Sequence, residues 1–233
     1  MTAALLLLAG LAAGDDKAAE EAIKKFKTAM RNPNAASRSA AVTELAREKH
    51  EKTARVLCPL LMGDAIEVRV SAAQGLAGYG DYKKLVVPQL MGALGGPNAK
   101  EPKVRAAVLA ALGKLNDDLA VPTIYQAFKD DYVTVAKAAI LATVDLKRKE
   151  AIDQLIELMK DCQKWAKQNQ GGGYKDDDGK NGDENAQKGR IADLQKTIMK
   201  ALELMTTEKW PSAEEWVLWW AKRKDKFEFA KDK

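Results

Sequence analysis

Val68-Arg69-Val70-Ser71-Ala72-Ala73-Gln74-Gly75-Leu76 decides the fold of this chain, because the chain repeats it. It returns 36 residues later as Val104-Arg105-Ala106-Ala107-Val108-Leu109-Ala110-Ala111-Leu112, and 31 after that as Val135-Ala136-Lys137-Ala138-Ala139-Ile140-Leu141-Ala142-Thr143. Towards the N-terminus, Ser37-Arg38 opens a copy 31 residues ahead of Val68, and Leu45 holds the place of Leu76. A weaker echo, Gly189-Arg190-Ile191-Ala192-Asp193-Leu194, lies 54 residues beyond Val135, as though a segment had been inserted. Self-similarity at a nearly fixed period marks a stacked-repeat architecture. Val68, Ala72 and Leu76 fall on one helix face, and the alanines let neighbouring helices approach closely. Such a stack buries each unit against its neighbours and offers a long surface with little enclosed chemistry.

Between the copies lie partner helices, each with a proline: Cys58-Pro59-Leu60, Val87-Pro88-Gln89 and Val121-Pro122-Thr123. Proline suits the first helical turn, where its missing N–H has no partner in any case, and deeper in it kinks the helix. Asp64, Asp130 and Asp131 sit in the turns that follow, where they are expected to cap the second helices.

A helix with a proline, a turn with Asp, then Val-Arg and an alanine-rich helix resembles the HEAT-repeat family over residues 36–205. The resemblance implies an all-α, right-handed α-solenoid of about four or five helix pairs. Its repeat positions are Val68, Arg69, Leu76, Val104, Arg105, Leu112 and Val135. Ala136 stands where the family pattern has Arg, which puts a continuous arginine ladder in question but not the fold.

The ends differ from the middle. Residues 1–14, an apolar run closed by small residues before Asp15-Asp16-Lys17, have the pattern of a secretory signal, though without Lys or Arg ahead of the run. A buried N-terminal helix is the alternative. Residues 15–31 are expected to form a helix on the spacing of Ala18, Ala22, Ile23, Phe26 and Met30. Residues 168–187 carry almost no apolar side chains and are expected to be a disordered insert. Residues 208–233 hold four of the five tryptophans and a basic tail. Ser212 and Glu215 form a capping-box pair after Pro211. Trp210 leads that region, and Trp216, Trp219 and Trp220 share one helical stripe, read as an aromatic cap on the stack. The motif Trp-Pro-Ser-x-Glu-Glu-Trp-x-x-Trp-Trp is similar to the tail of some secreted bacterial HEAT-repeat proteins, notably from planctomycetes.

Signals for catalysis are weak. His50 is the only histidine, no Cys-x-x-Cys occurs, and no phosphate loop or nucleophile elbow is present, so no cofactor, metal or catalytic residue is assigned. Cys58 and Cys162 lie in apolar runs several helices apart and read as buried free thiols. Asp176-Asp177-Asp178-Gly179 suggests a calcium loop. With Gly179 sixth in that frame, however, Tyr174 and Asn185 occupy two ligand positions, so a solvated loop is favoured. The net charge of +5 without clustering gives no nucleic-acid signature.

The functional expectation is a non-enzymatic interaction scaffold, periplasmic or secreted, with a protein or peptide partner and no membrane span. The alternatives are an enzyme on a HEAT-like scaffold, such as a DNA glycosylase or a bilin lyase, and a purely structural envelope protein. A glycosylase needs aromatics on the inner face of the repeats. Here they gather beyond the last repeat.

Overall fold

The computed structural model describes residues 2–168 and 175–229, with side chains from Asp16 onward. Helices alternate between two layers. In the first lie α1 (Thr2–Ala29), α3 (Glu51–Leu57), α5 (Lys83–Gly92), α7 (Val121–Gln126), α9 (Lys149–Lys167) and α11 (Ala213–Arg223). The second holds α2 (Ala35–Leu45), α4 (Ile66–Leu76), α6 (Pro102–Leu115), α8 (Val133–Leu146) and α10 (Glu184–Thr206). In the second layer α2 packs on α4, α4 on α6, α6 on α8 and α8 on α10. Each helix also packs against its partner in the other layer, so the chain is an all-α solenoid. No helix of the described residues is long and apolar enough to cross a membrane.

Small side chains bring the second-layer helices together. A Cβ at Gly113 would lie 2.8 Å from the Cα, Cβ and O of Ala142, and one at Gly75 would lie 2.5 Å from Ala46 Cβ. Glycine is required there by proximity, since both residues sit in ordinary helix. Beneath this seam Val68, Leu76, Val104, Leu112 and Val135 are completely buried. Pro122 stands in the first turn of α7, Pro59 opens a 3-10 turn after α3, and Pro88 lies inside α5.

Several boundaries differ from the sequence expectation. One helix runs from Thr2 to Ala29 without a break at Gly14, and it packs on α2 and α3 as the first-layer member of a first pair. The hydrophobic pattern of residues 15–31 gave the helix but not this role, which comes from Ala19 and Phe26 being buried against the stack. The insert is only partly the free chain expected over 168–187. Residues 169–174 lie outside the described residues. Lys175, however, pairs with the turn before α8: Val133 N donates to Lys175 O at 3.0 Å, and Lys175 N donates to Asp131 O. Asp176 then closes a turn by accepting from Lys180 N at 2.8 Å, and α10 starts at Glu184, capped by Asp183. Low apolar content predicts poor burial, and it missed this backbone and carboxylate bonding.

Candidate functional site

The arginines of the repeat sit at the turn edge of the stack and tie successive pairs together. Arg38 Nη2 reaches Asp64 Oδ1 at 2.6 Å, Arg69 Nη1 reaches Asn98 Oδ1 at 3.0 Å, and Arg105 pairs with Asp130. Each bond runs from one second-layer helix to the turn ahead of the next. Asp64 and Asp130 are not the N-cap residues of α4 and α8, which are Ala65 and Tyr132. Each nevertheless bonds that residue's backbone: Asp64 Oδ1 accepts from Ala65 N at 2.6 Å and Asp130 Oδ1 from Tyr132 N at 3.0 Å. Each carboxylate thus joins a guanidinium on the preceding helix to a local N–H, and the charge-assisted bond to the guanidinium is about twice as strong as a neutral one. The Arg38 hydrogen bond holds the Asp64 carboxyl below its ordinary pKa. Asp131 meets Lys175 Nζ at 3.4 Å.

Asn98 was not singled out from sequence. It is completely buried, and its amide donates to Leu61 O and Ala93 O, both at 2.9 Å, while its oxygen accepts from Arg69. Its one sequence signal was position, in the same turn that holds Asp in the neighbouring repeats. The ladder stops at Asp130, because Ala136 replaces the next arginine and is itself completely buried. The segment from Lys175 pairs with the chain there.

Above this frame lies an open face. Thr43, Gln74, Ala110 and Leu141 hold one place in four successive copies, and all are exposed. So are Arg47, Gly78, Lys114 and Asp145, one helical turn further on. Between α2 and α4 the face dips into a groove of about 550 Å³, with Thr43, Ser71 and Gln74 on its walls and Gly75 on its floor. Arg47, Lys49 and Lys114 border it, and no carboxylate lines it. Lys49 is drawn in over the Tyr79 ring, 4.5 Å from its centroid, and burial lowers its pKa. The groove can offer hydroxyl, amide and ammonium groups to a polar chain laid along it.

A sequence model of HEAT repeats matches residues 54–142 and 97–169. The chain carries HEAT repeats. The stretches that match contain the Val68, Val104 and Val135 copies, with the Arg69 and Arg105 rungs of the ladder. No curated protein matches the chain.

At the far end of the HEAT stack, α11 packs on α9 and α10. Trp216, Trp219 and Trp220 are buried there, with Trp216 edge-on to Trp219 at 5.5 Å. Trp220 Nε1 donates to Asp153 Oδ1 at 2.9 Å, and Lys224 reaches the same oxygen at 2.9 Å. Burial alone would raise the Asp153 pKa, but those two donors outweigh it and hold the carboxyl low. Trp210 is half-buried on the approach to α11. Ser212 caps the helix by accepting from Glu215 N at 3.2 Å, and its hydroxyl donates to the Glu215 carboxylate at 2.8 Å. The reciprocal arm of the box is thus hydroxyl to carboxylate, where the motif uses the N-cap backbone.

His50 and the cysteines hold structural places. His50 Nδ1 caps α3 by accepting from Lys52 N at 3.1 Å, and Nε2 lies 3.2 Å from Asp16 on α1. Both thiols are free and buried, and burial pushes Cys58 up to about 11 and Cys162 up to about 12. A thiol with so high a pKa is a poor nucleophile at neutral pH.

Proposed function

We propose that this HEAT-repeat chain is a non-enzymatic protein–protein interaction scaffold that works outside the cytoplasm, in a periplasm or after secretion. The observation that carries the reading is the exposed row Thr43, Gln74, Ala110 and Leu141, set at repeat spacing over a rigid ladder. Exposed positions that recur at each step suit an extended partner, which meets the same surface geometry again and again. HEAT repeats commonly serve as interaction scaffolds, which supports the same conclusion. The location rests on the apolar run at residues 1–14 followed by Asp15-Asp16.

The test is site-specific photo-crosslinking from Gln74 and Ala110, with Leu119 as the control on the first-layer side. One partner protein crosslinked from both row positions, and lost in Gln74→Arg with Ala110→Arg, supports the scaffold. Equal labelling from Leu119 refutes it. Salt-sensitive binding to duplex DNA would move the reading to a glycosylase-like enzyme. Fractionation with N-terminal sequencing tests the location, and recovery of the uncleaved chain in the cytoplasm refutes it.

A further inference from the structure

Trp210 stands between two shallow pockets at the C-terminal end of the stack, and we propose that they form a second binding site, for an acidic peptide with apolar side chains. The site is separate from the helical row and does not depend on the scaffold reading of that row. One pocket, about 280 Å³, lies between α10 and the approach to α11, and the other, about 250 Å³, lies against the outer side of α11. Trp210 lines both. Their floors are mainly hydrocarbon, supplied by Met199 and Pro211 on one side and Leu218 on the other. Leu218 is 59% exposed, the highest value among the large apolar side chains described. Pockets below roughly 300 Å³ are small for a whole ligand but suit single side chains of a chain lying across them.

The rims set the charge of the occupant. Lys196 and Lys209 border the first pocket, and Lys222 and Arg223 border the second. None of the four makes an ion pair among the described residues. The two carboxylates at the pockets are already engaged: Glu203 pairs with Lys200 at 3.2 Å, and Glu215 accepts from Ser212. Glu208, next to Lys209 in the chain, lines neither pocket. Four uncommitted cations thus surround an indole with hydrocarbon on both sides. Cations at this density favour an anionic partner and repel a basic one. The two apolar hollows ask for apolar side chains between the acids. Concave hollows separated by a ring also favour a peptide over a flat bilayer, which would touch only the rim.

The probe is a fluorescent nonapeptide alternating glutamate and leucine, titrated with the full chain at low salt and read by anisotropy. Two control peptides replace every glutamate with lysine, or every leucine with serine. Binding is expected only for the first peptide, weakening with salt. Lys209→Glu with Lys222→Glu should weaken it roughly ten-fold, since two exposed charges are reversed. Leu218→Ser tests the apolar half at a site too exposed to endanger folding. It should weaken binding about three-fold, a modest loss for partial burial of one leucine. Gln74→Arg should leave it unchanged, which separates this site from the helical row. No binding of the acidic peptide, equal binding by the serine peptide, or unchanged affinity in the two variants overturns the proposal. So does tighter binding to vesicles of phosphatidylcholine with phosphatidylserine than to the peptide, which assigns the patch to a membrane surface.

Discussion

Replacing Gly113 with alanine sets two opposed physical effects against each other, and the structure decides between them. Alanine is the better helix former by about 1 kcal/mol, so an unconstrained glycine in the body of α6 would gain stability on substitution. The new Cβ, however, would lie 2.8 Å from three atoms of Ala142, two of them backbone. Ordinary carbon contacts begin near 3.5 Å, so α6 and α8 would have to part by roughly 0.7 Å. Opening a packed seam by that much forfeits between a quarter and a half of the attraction of each facing atom pair. Overpacking of this kind costs about 1–3 kcal/mol, and backbone atoms cannot rotate aside. We therefore expect Gly113→Ala to be destabilised by up to about 2 kcal/mol net. Gly189 supplies the control, because it lies within α10 and a Cβ there meets nothing within 4 Å. Gly189→Ala should gain about 0.5–1 kcal/mol. Urea unfolding followed by circular dichroism reads both as opposite shifts of the midpoint with unchanged slope. If Gly113→Ala is as stable as Gly189→Ala, α6 and α8 do not approach as described, and the account of the seam is wrong.

The Arg38–Asp64 rung predicts a pH dependence. The Asp64 carboxyl is depressed in the folded state, so its contribution is complete above its unfolded value of about 3.9 and is lost as pH falls through the lower folded value. The stability gap between the parent chain and Asp64→Asn should hold from pH 7 to about 5 and begin to shrink below about 4; a gap that does not shrink at all as the pH falls contradicts the pair. Arg105→Met should cost about 2–4 kcal/mol by stranding Asp130, whose side chain is only 8% exposed, and denaturant unfolding measures it. Both cysteines should resist a thiol reagent at pH 7.5 and react on addition of urea, because their pKa values are raised to about 11 and about 12; rapid labelling of the folded chain would refute the burial. Ser212→Ala should lower stability by about 1 kcal/mol through the lost cap of α11, followed by tryptophan fluorescence.

Periodicity carried the fold as far as local rules can. The recurrence of Val68, Val104 and Val135 fixed the helix pairs, because burial against identical neighbours demands the same side chains at each step. Arg69 and Arg105 were legible as repeat positions, and the tryptophan stripe as one helix face. The partners were not. Asp64 reads as a cap in sequence, since its nearest N–H groups are local, and only stacking brings Arg38 to it from 26 residues away. Asn98 looked like an ordinary turn residue until Leu61, Ala93 and Arg69 closed around it.

The amino-acid order alone determined that helices form and that they stack in pairs, because these follow from spacing along the chain. Tertiary structure decided the rest: that α1 joins the stack as a first-layer helix, that Lys175 docks beside Tyr132, and which cations at Trp210 are left without a carboxylate. Those outcomes depend on distances between residues far apart in the chain, and composition holds no record of such distances.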